Sequence, residues 1–168
     1  LVAADLLKTL EYRGYDSAGV AFQGDGLDVT LLKGVGAPSV MVHRLGITTM
    51  AGRAFCGQVR WATFGAVTDD NSQPHVVRCQ AFLYGAHNGN VTNCDDLKAW
   101  LTSEGHDVRS DNDGEMVVHT VEHFFARELA AMPTPNEAGT RRRAMRAALL
   151  AAAATLQGSF AAVIVDPV

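Results

Sequence analysis

The sequence is poor in the residues that mark disulfide-rich and metal-binding proteins. It has three cysteines, Cys56, Cys79 and Cys94, an odd number with no close pairing and no metal-type spacing. We therefore expect no disulfide framework, no zinc or other metal site and no cofactor. Cysteines used in this way favour a reducing cytoplasm as the compartment.

Strong charge and long apolar runs are also missing. Charged residues make up 19% of the chain and the formal net charge is -4, so nothing favours nucleic acid or an anionic membrane as a partner. A membrane-spanning helix needs roughly 20 apolar residues, and the longest candidate, residues 147–156, is a short alanine-rich helix. Residues 1–12 lack the basic start and the cleavage-type end of a signal peptide. The composition is that of an ordinary soluble globular protein.

The pattern of apolar residues predicts one domain of mixed helices and strands. The 168 residues suffice for one domain with a substantial core. Helices are predicted over residues 2–12, 38–50, 114–131 and 140–156, with another that carries Leu97, Trp100 and Leu101 after Asn93 as N-cap. Strands are predicted at residues 20–22, 27–32, 55–59, 81–84 and 160–165, the first two joined by a hairpin turn at 24–26. Short turns between strands favour an α+β domain with antiparallel sheet packed against helices.

Four polar clusters interrupt the apolar segments and are candidates for a site. They are residues 13–19, 59–65, 86–90 and 110–115. Arg60 at a strand end can clamp a carboxylate, and Asp113 can accept an ammonium group. Asn88 and Gly89 offer a side-chain amide beside an accessible backbone N–H, the donor pair of an oxyanion hole. An amino acid with an amide or ester side chain would suit this set.

The same residues have ordinary structural interpretations, which spacing alone leaves open. An arginine after a strand is commonly solvated or ion-paired, Asn-Gly is most often a turn, and an aspartate before a helix is most often an N-cap. Trp61 is a candidate core residue, and His87 is favoured as a structural residue over a catalytic base. Each cysteine is a weak candidate nucleophile, and Cys94 lies in a helix first turn, which lowers a thiol pKa.

The order of the clusters resembles one known family. Residues 10–19, Leu-Glu-Tyr-Arg-Gly-Tyr-Asp-Ser-Ala-Gly, are similar to the signature after the first helix of glucosamine-6-phosphate synthase, a class II glutamine amidotransferase. Residues 60–63, Arg-Trp-Ala-Thr, resemble its glutamine-carboxylate loop, and residues 87–89, His-Asn-Gly, resemble its oxyanion strand end. Residues 111–113, Asp-Asn-Asp, resemble the segment that supplies an aspartate for the substrate amino group. The four segments occur in family order and run from residue 10 to residue 113.

The resemblance implies a fold, a reaction and a set of residue roles. The fold is that of amino-terminal-nucleophile hydrolases, two stacked antiparallel sheets between two helical layers. In the reaction an amino-terminal cysteine attacks the side-chain amide of L-glutamine, its own α-amine serves as base, and a thioester forms before water releases glutamate. The implied roles are Arg60 for the α-carboxylate, Asp113 for the α-ammonium, Asn88 and Gly89 for the oxyanion, Thr63 for pocket shape, and Trp61 as a gate to an ammonia channel.

The resemblance also sets expectations for the rest of the protein. Family members begin Cys-Gly-Ile followed by a strand, so we expect residues 1–168 to be a glutaminase domain without its first strand or the nucleophile. The ammonia would pass to fructose 6-phosphate in a sugar isomerase domain that lies outside these residues. The full-length protein would be a homodimer.

Departures from the synthase pattern keep two alternatives open. Phe64 and Gln73 stand where the synthase usually has histidine, and residues 112–114, Asn-Asp-Gly, replace the usual Thr-Asp-Thr. Gln73 is more typical of amidophosphoribosyltransferase or glutamate synthase, and the first of these makes phosphoribosyl chemistry an alternative destination for the ammonia. The alternative from another class is a non-catalytic glutamine-binding module that has lost its nucleophile.

Overall fold

The computed structural model describes residues 2–62 and 65–168, which form five α-helices and six β-strands. The helices are α1 (Val2–Thr9), α2 (Pro38–Arg44), α3 (Cys94–Ser103), α4 (Asp113–Ala130) and α5 (Ala138–Thr155). The strands are β1 (Ser17–Gln23), β2 (Val29–Val35), β3 (Ala54–Arg60), β4 (His75–Val77), β5 (Leu83–Val91) and β6 (Gly158–Val165). None of the helices formed by the described residues is long and apolar enough to span a bilayer.

The strands form two three-stranded antiparallel sheets. One has the order β2-β1-β3 and the other the order β4-β5-β6. β1 and β2 are a hairpin with Gln23 opposite Val29, around the turn predicted at residues 24–26. β5 is the central strand of the second sheet and pairs with β6 over most of its length, with Tyr84 opposite Val165.

The two sheets stack face to face, because β1 has apolar side chains on both of its faces. Its alternate residues Val20 and Phe22 pack against α1 and α2, whereas Ala21 packs against Tyr84 of the second sheet. The Tyr84 hydroxyl donates to Gln23 Oε1 at 3.2 Å, which ties the sheets together. Because helices cover one face of β1 and the second sheet covers the other, all seven of its residues are buried.

Helices α4 and α5 cover the outer face of the second sheet. Val121 and Phe125 of α4 pack with Leu83 of β5. The α5 residues in this core are small and share one face of the helix: Ala144, Ala148 and Ala152. The resulting order of helices, sheet, sheet and helices confirms the layered α+β arrangement that the resemblance implied.

The predicted helices are present, but the first two end early. The helix predicted over residues 2–12 stops at Thr9, and a single 3-10 turn, Glu11–Arg13, follows it. The helix predicted over residues 38–50 stops at Arg44, because Gly46 adopts a left-handed conformation with a φ of 68°. A left-handed glycine commonly ends a helix, whereas the predicted helix continued past Gly46.

The predicted strands are also present, and strand pairing changes their limits. The strand predicted at residues 81–84 runs from Leu83 to Val91, since β6 continues to pair with it as far as Gly158. The three-residue strand β4 lies between two predicted strands and was not itself predicted. A strand that short gives no alternating pattern to recognise.

Candidate functional site

The polar clusters converge on one cleft, formed where β3, β5 and α4 come together. Its volume is about 790 Å³, within the range typical of small-molecule sites. The predicted site residues that line it are Arg60, Trp61, Asn88, Gly89 and Asp113. Thr63, the remaining predicted residue, lies outside the described residues, as does Phe64. The fold thus brings together residues that are far apart in the sequence.

Arg60 is the last residue of β3 and places a positive charge at the cleft. The residue is only 7% exposed, and its Nη1 donates to the Ala66 carbonyl oxygen at 3.3 Å. Burial lowers the pKa of Arg60, and the carboxylates of Asp113 and Asp16 oppose that effect. An arginine side chain stays protonated at neutral pH in proteins. Arg60 is therefore a fixed cation of the kind that binds a carboxylate.

The first polar cluster holds the backbone around Arg60. Asp16 N donates to the Arg60 carbonyl oxygen at 3.1 Å, and Asp16 Oδ2 accepts from Ala62 N at 2.8 Å. Gly14 lies against the same backbone, where a β-carbon would come within 2.4 Å of the Arg60 carbonyl carbon. Gly14 and Asp16 therefore position the segment that presents Arg60 to the cleft.

Trp61 lies at the cleft surface and not in the core. It is 59% exposed, and its ring centroid lies 5.7 Å from that of Tyr15. The interpretation of Trp61 as a core residue is wrong, because β3 ends at Arg60 and the chain leaves the sheet before the tryptophan. An exposed tryptophan beside a cleft offers a large apolar surface to a ligand.

Asp113 is the first residue of α4 and places a negative charge at the cleft. Asn112 is the N-cap of the helix and accepts from Gly114 N at 3.0 Å, so Asp113 is not needed as a cap. Asp113 Oδ2 accepts from Val91 N at 3.0 Å. Burial raises the pKa of Asp113, but contact with His87 and the Val91 N–H outweigh it, and the pKa lies below its usual value. Asp113 is therefore an ionised carboxylate.

His87 is buried in β5 between Asp113 and Gln73. Its Nε2 lies 3.1 Å from Asp113 Oδ2, although the two atoms are not aligned for a regular hydrogen bond. Gln73 Oε1 accepts from His87 N at 2.8 Å, and Gln73 Nε2 lies 3.2 Å from His87 Nδ1. Donation from the Gln73 amide to Nδ1 corresponds to the tautomer whose ring proton is on Nε2, the nitrogen that faces the carboxylate. These contacts fit the structural role predicted for His87.

Gly114 leaves the space that the Gln73 and His87 side chains occupy. A β-carbon on Gly114 would lie 2.7 Å from Gln73 Oε1, from His87 Nδ1 and from Asn112 Oδ1. The departures from the synthase pattern at position 73 and at residues 112–114 are therefore neighbours in space. Nothing in the spacing of these residues along the chain indicates that they are in contact.

Asn88 and Gly89 were predicted to follow a strand, but they lie inside β5. The reason is β6, which pairs here with Asn88 opposite Ala161 and Gly89 opposite Phe160. Both residues are exposed on the cleft. Gly89 has a φ of 135°, and a β-carbon there would lie 2.2 Å from the Ser159 carbonyl oxygen, so the position requires glycine. The Asn-Gly pair is a distorted strand segment and not a turn.

Asn93 occupies the N-cap position of α3, but the prediction that its side chain caps the helix is wrong. Its Nδ2 donates to the Thr155 carbonyl oxygen and its Oδ1 accepts from Gln157 N, each at 3.0 Å. The side chain therefore joins the start of α3 to the connection between α5 and β6. Sequence alone offers no sign of this partner, which lies far along the chain.

The three cysteines do not line the cleft. Burial raises the pKa of Cys56 to about 11, and burial, with nearby acidic side chains, raises that of Cys94 to about 11 as well. The lowering expected for Cys94 at a helix start therefore does not occur. Cys79 is exposed and lies between β4 and β5. All three are poor candidates for a nucleophile acting in the cleft.

Two polar cleft residues were missed by the sequence analysis. Gln58 and Ser159 both line the cleft, and Gln58 Nε2 donates to the His87 carbonyl oxygen at 2.6 Å. Gln58 lies in the predicted strand at residues 55–59, where a glutamine among apolar residues was the available signal. Ser159 reaches the cleft only because β6 pairs with β5, so no local pattern identifies it.

Comparison with known proteins places the chain in a family. Residues 59–168 match the family described as a glutamine amidotransferase domain. The glutamine–fructose-6-phosphate aminotransferase (isomerizing) of Sulfolobus acidocaldarius is 39% identical over 125 residues, which cover 74% of this chain and 21% of that protein. The protein of the same name from Thermus thermophilus is 40% identical over 129 residues, 76% of this chain and 21% of that protein. The chain spans about a fifth of the length of these curated relatives.

Solved structures share the fold. Glutamine phosphoribosylpyrophosphate (PRPP) amidotransferase from B. subtilis, in complex with ADP and GMP, is similar with a TM-score of 0.68 and 25% identity, covering 96% of this chain and 31% of that one. A structure described as the allosteric regulatory enzyme of purine biosynthesis is similar with a TM-score of 0.69 and 26% identity, covering 98% and 32%. The fold is therefore that of amino-terminal-nucleophile amidotransferases. With the family match and the curated relatives, this similarity shows that the chain belongs to the glutamine amidotransferase domain family.

Proposed function

We propose that the cleft of this chain binds L-glutamine, that the larger protein hydrolyses it there with an amino-terminal cysteine, and that the ammonia is delivered to fructose 6-phosphate. The observation that carries the proposal is the convergence of Arg60, Asp113 and the Asn88–Gly89 segment on one cleft. The acceptor sugar is inferred from the names of the curated relatives, which match about three quarters of this chain.

The two charged side chains suit the free ends of an amino acid. Arg60 would bind the α-carboxylate of glutamine, and the ionised Asp113 would bind its α-ammonium group. Both residues are buried, at 7% and 5% exposure, so solvent screens the interactions less than it does on a surface. The Val91 N–H already donates to the Asp113 carboxylate and His87 Nε2 lies 3.1 Å from it, so the carboxylate is positioned before a ligand arrives.

The remaining site residues would act on the side-chain amide. An amino-terminal cysteine of the larger protein would attack the amide carbon, and its thiol proton would pass through its α-amine to the amide nitrogen. The C–N bond would then break, ammonia would leave, and water would hydrolyse the thioester to glutamate. The Asn88 side-chain amide and the Gly89 N–H would stabilise the oxyanion. Thr63 would shape the pocket, and the exposed Trp61 would separate it from the ammonia path.

A second acceptor is favoured by one observation. Gln73, more typical of amidophosphoribosyltransferase, contacts His87 at the cleft, and the PRPP amidotransferase structure has the same fold. This alternative keeps glutamine hydrolysis in the cleft and changes only the destination of the ammonia. Replacing the sugar phosphate in the assay separates the two.

The test is glutamate release from L-glutamine by the full-length gene product, measured alone, with fructose 6-phosphate and with PRPP. The proposal predicts release that rises with fructose 6-phosphate and not with PRPP. Stimulation by PRPP alone would move the acceptor to the phosphoribosyl alternative. A folded protein that begins with cysteine and releases no glutamate under any condition would contradict the enzyme and favour the binding module.

A further inference from the structure

A cluster of four potential metal ligands lies beside α4, and none of the four lines the cleft. Cys79 follows β4, His106 follows α3, and His119 and Glu122 lie one turn apart on α4. One ligand atom from each lies within 4.8 Å of every other. The geometry points to a binding site for a divalent transition-metal ion of the zinc class, held by these four side chains.

The spacing of the ligand atoms suits a single small ion. Tetrahedral zinc, with bonds of about 2.0–2.3 Å, holds its ligand atoms roughly 3.3–3.8 Å apart. Nδ1 of His106 and Nδ1 of His119 both lie 3.0 Å from Glu122 Oε2, and the full set extends to 4.8 Å. These distances bracket the tetrahedral values, so side-chain shifts of less than an ångström would complete the coordination. Thiolate, imidazole and carboxylate together are a donor set that zinc accepts.

Each ligand has an outer partner that orients it. Glu122 Oε1 accepts from Gln80 N at 2.9 Å and from Ala81 N at 3.1 Å, which leaves Oε2 to face the imidazoles. His106 Nε2 lies 3.2 Å from His123 Nδ1. Such contacts fix the ring orientation and the protonated nitrogen of a metal-binding histidine.

His119 and Cys79 also have outer partners that orient them. His119 Nε2 faces the Glu115 carboxylate, with 3.7 Å between the nitrogen and Oε1. Cys79 Sγ accepts from Asp107 N at 3.3 Å. A carboxylate behind a histidine and an N–H directed at a sulfur are the outer contacts expected around a metal.

The cluster is buried but has an opening on one side. The His106 and Glu122 side chains have no solvent exposure and that of His119 has 2%, whereas Cys79 is exposed. An ion could therefore enter past the thiol and become enclosed by the other three ligands.

A hydrogen-bonded network of histidines around Glu122 is the alternative to a metal site. Both imidazoles can donate to Glu122 Oε2, and that arrangement needs no ion. It also needs no thiol, yet Cys79 Sγ is part of the group within 4.8 Å. Cys79 is thus the residue that distinguishes the two interpretations. The spacing of ligands at positions 79, 106, 119 and 122 matches no short zinc motif, which is why the sequence analysis expected no metal site.

The experiment uses the full-length protein, stripped of metal with a chelator and then titrated with Zn²⁺ in competition with a chromophoric chelator. We expect one tightly bound ion per chain at this site and at least about tenfold weaker affinity in Cys79→Ser. Titration with Co²⁺ should give the visible bands of tetrahedral cobalt and a near-ultraviolet thiolate-to-cobalt band, which Cys79→Ser should lose. Zn²⁺ should also raise the Tm of the wild type more than that of the variant.

Two control variants each remove a thiol or an imidazole that lies outside the four-ligand cluster. Cys94→Ser removes a thiol outside the cluster, and His43→Gln removes an exposed imidazole of α2; both should bind Zn²⁺ and Co²⁺ as the wild type does. Because Cys79 is exposed, Cys79→Ser should fold, and circular dichroism checks this. Zinc affinity and cobalt spectra that are the same in Cys79→Ser and in the wild type would overturn the site. So would the absence of saturable zinc binding to the wild type, which would leave the hydrogen-bonded network.

Discussion

At the scale of single residues, the cleft depends on small side chains as much as on charged ones. Gly14 permits the close approach of the Arg60 backbone, and Gly114 permits Gln73 and His87 to meet beside Asp113. In both places the neighbouring atoms would lie 2.4–2.8 Å from an added β-carbon, well inside van der Waals contact. Glycine at these positions is therefore required by packing and not by backbone conformation.

Gly114→Ala should damage glutamine binding, and Gly139→Ala is its matched control. Both glycines are the second residue of an 18-residue helix, but Gly139 has only the Arg143 guanidinium near its β-carbon position, at 3.9 Å. We expect Gly114→Ala to lower the free energy of unfolding by about 1–3 kcal/mol and to raise KM for glutamine, because His87 and Gln73 must move. Gly139→Ala should be neutral or stabilising by up to about 1 kcal/mol.

Chemical denaturation and glutaminase kinetics on the two variants check this prediction. Equal effects of the two substitutions, or an unchanged KM in Gly114→Ala, would show that the Gln73 and His87 contact does not support the cleft.

The sequence identified Arg60, Asn88, Gly89 and Asp113 as candidates because residue type and motif order carry that information. It did not identify what Gln73 and Asn93 contact, because the partners of both lie far along the chain. Burial also raises the pKa of Cys94, although its place at the start of a helix predicted a lowered value. Long-range contacts and burial are the parts of a site that local patterns do not contain.

At the scale of secondary structure, the amino terminus of α4 is the element on which the cleft depends. Asn112 caps the helix, and its Oδ1 also lies 3.1 Å from Nε2 of His75. Glu115, in the first turn, accepts from Ser110 N at 2.6 Å and from Arg109 N at 3.1 Å. These contacts fasten the loop before α4, and β4 beneath it, to the helix that presents Asp113.

His75 makes this element sensitive to acid. Burial, and next the charge of Lys33, lower the pKa of His75 to about 3, although Glu115 and Asn112 oppose the shift. In the unfolded chain the value is about 6.5. Between these values the unfolded state binds a proton that the folded state excludes, so stability falls as the pH drops from 6.5 towards 3. The contribution of His75 to the slope approaches about 1.4 kcal/mol per pH unit.

Urea denaturation of the wild type and of His75→Gln from pH 8 to pH 4.5 measures this contribution. At pH 8 the histidine is neutral in both states, so the difference there is the cost of the substitution itself. Below pH 6.5 the free energy of unfolding of the variant should fall less steeply than that of the wild type. Parallel curves would show that His75 does not titrate differently in the folded and unfolded protein.

The existence and type of the long elements followed from apolar spacing, and α4 and α5 are close to their predicted limits. The limits of other elements depended on partners. β5 is longer than predicted because β6 pairs with residues 84–91, and α2 is shorter because Gly46 turns left-handed. Pairing between distant strands is a tertiary effect, so a local pattern of apolar residues does not set strand length.

At the scale of the whole molecule, the cleft exists only because two halves pack together. Arg60 belongs to the first sheet, whereas Asp113 begins a helix that covers the second. Hydrogen bonds between the sheets, from Gln58 to His87 and from Tyr84 to Gln23, fix the position of one half against the other. The sequence pattern predicted an antiparallel α+β domain, but the stacking of the two sheets came from the family resemblance and not from the pattern.

Glutamine affinity tests the central claim most directly. L-glutamine is titrated calorimetrically into the full-length protein in which the proposed amino-terminal cysteine nucleophile is replaced by alanine, so that the glutamine is not consumed. Arg60→Ala and Asp113→Ala should each weaken binding by about 2–4 kcal/mol, roughly 30- to 900-fold, as expected for loss of one partner from a buried charge pair. Lys8→Ala, which removes an exposed charge on α1, should leave the affinity unchanged. Folded Arg60→Ala and Asp113→Ala proteins that bind glutamine as tightly as the control would contradict the assignment of this cleft.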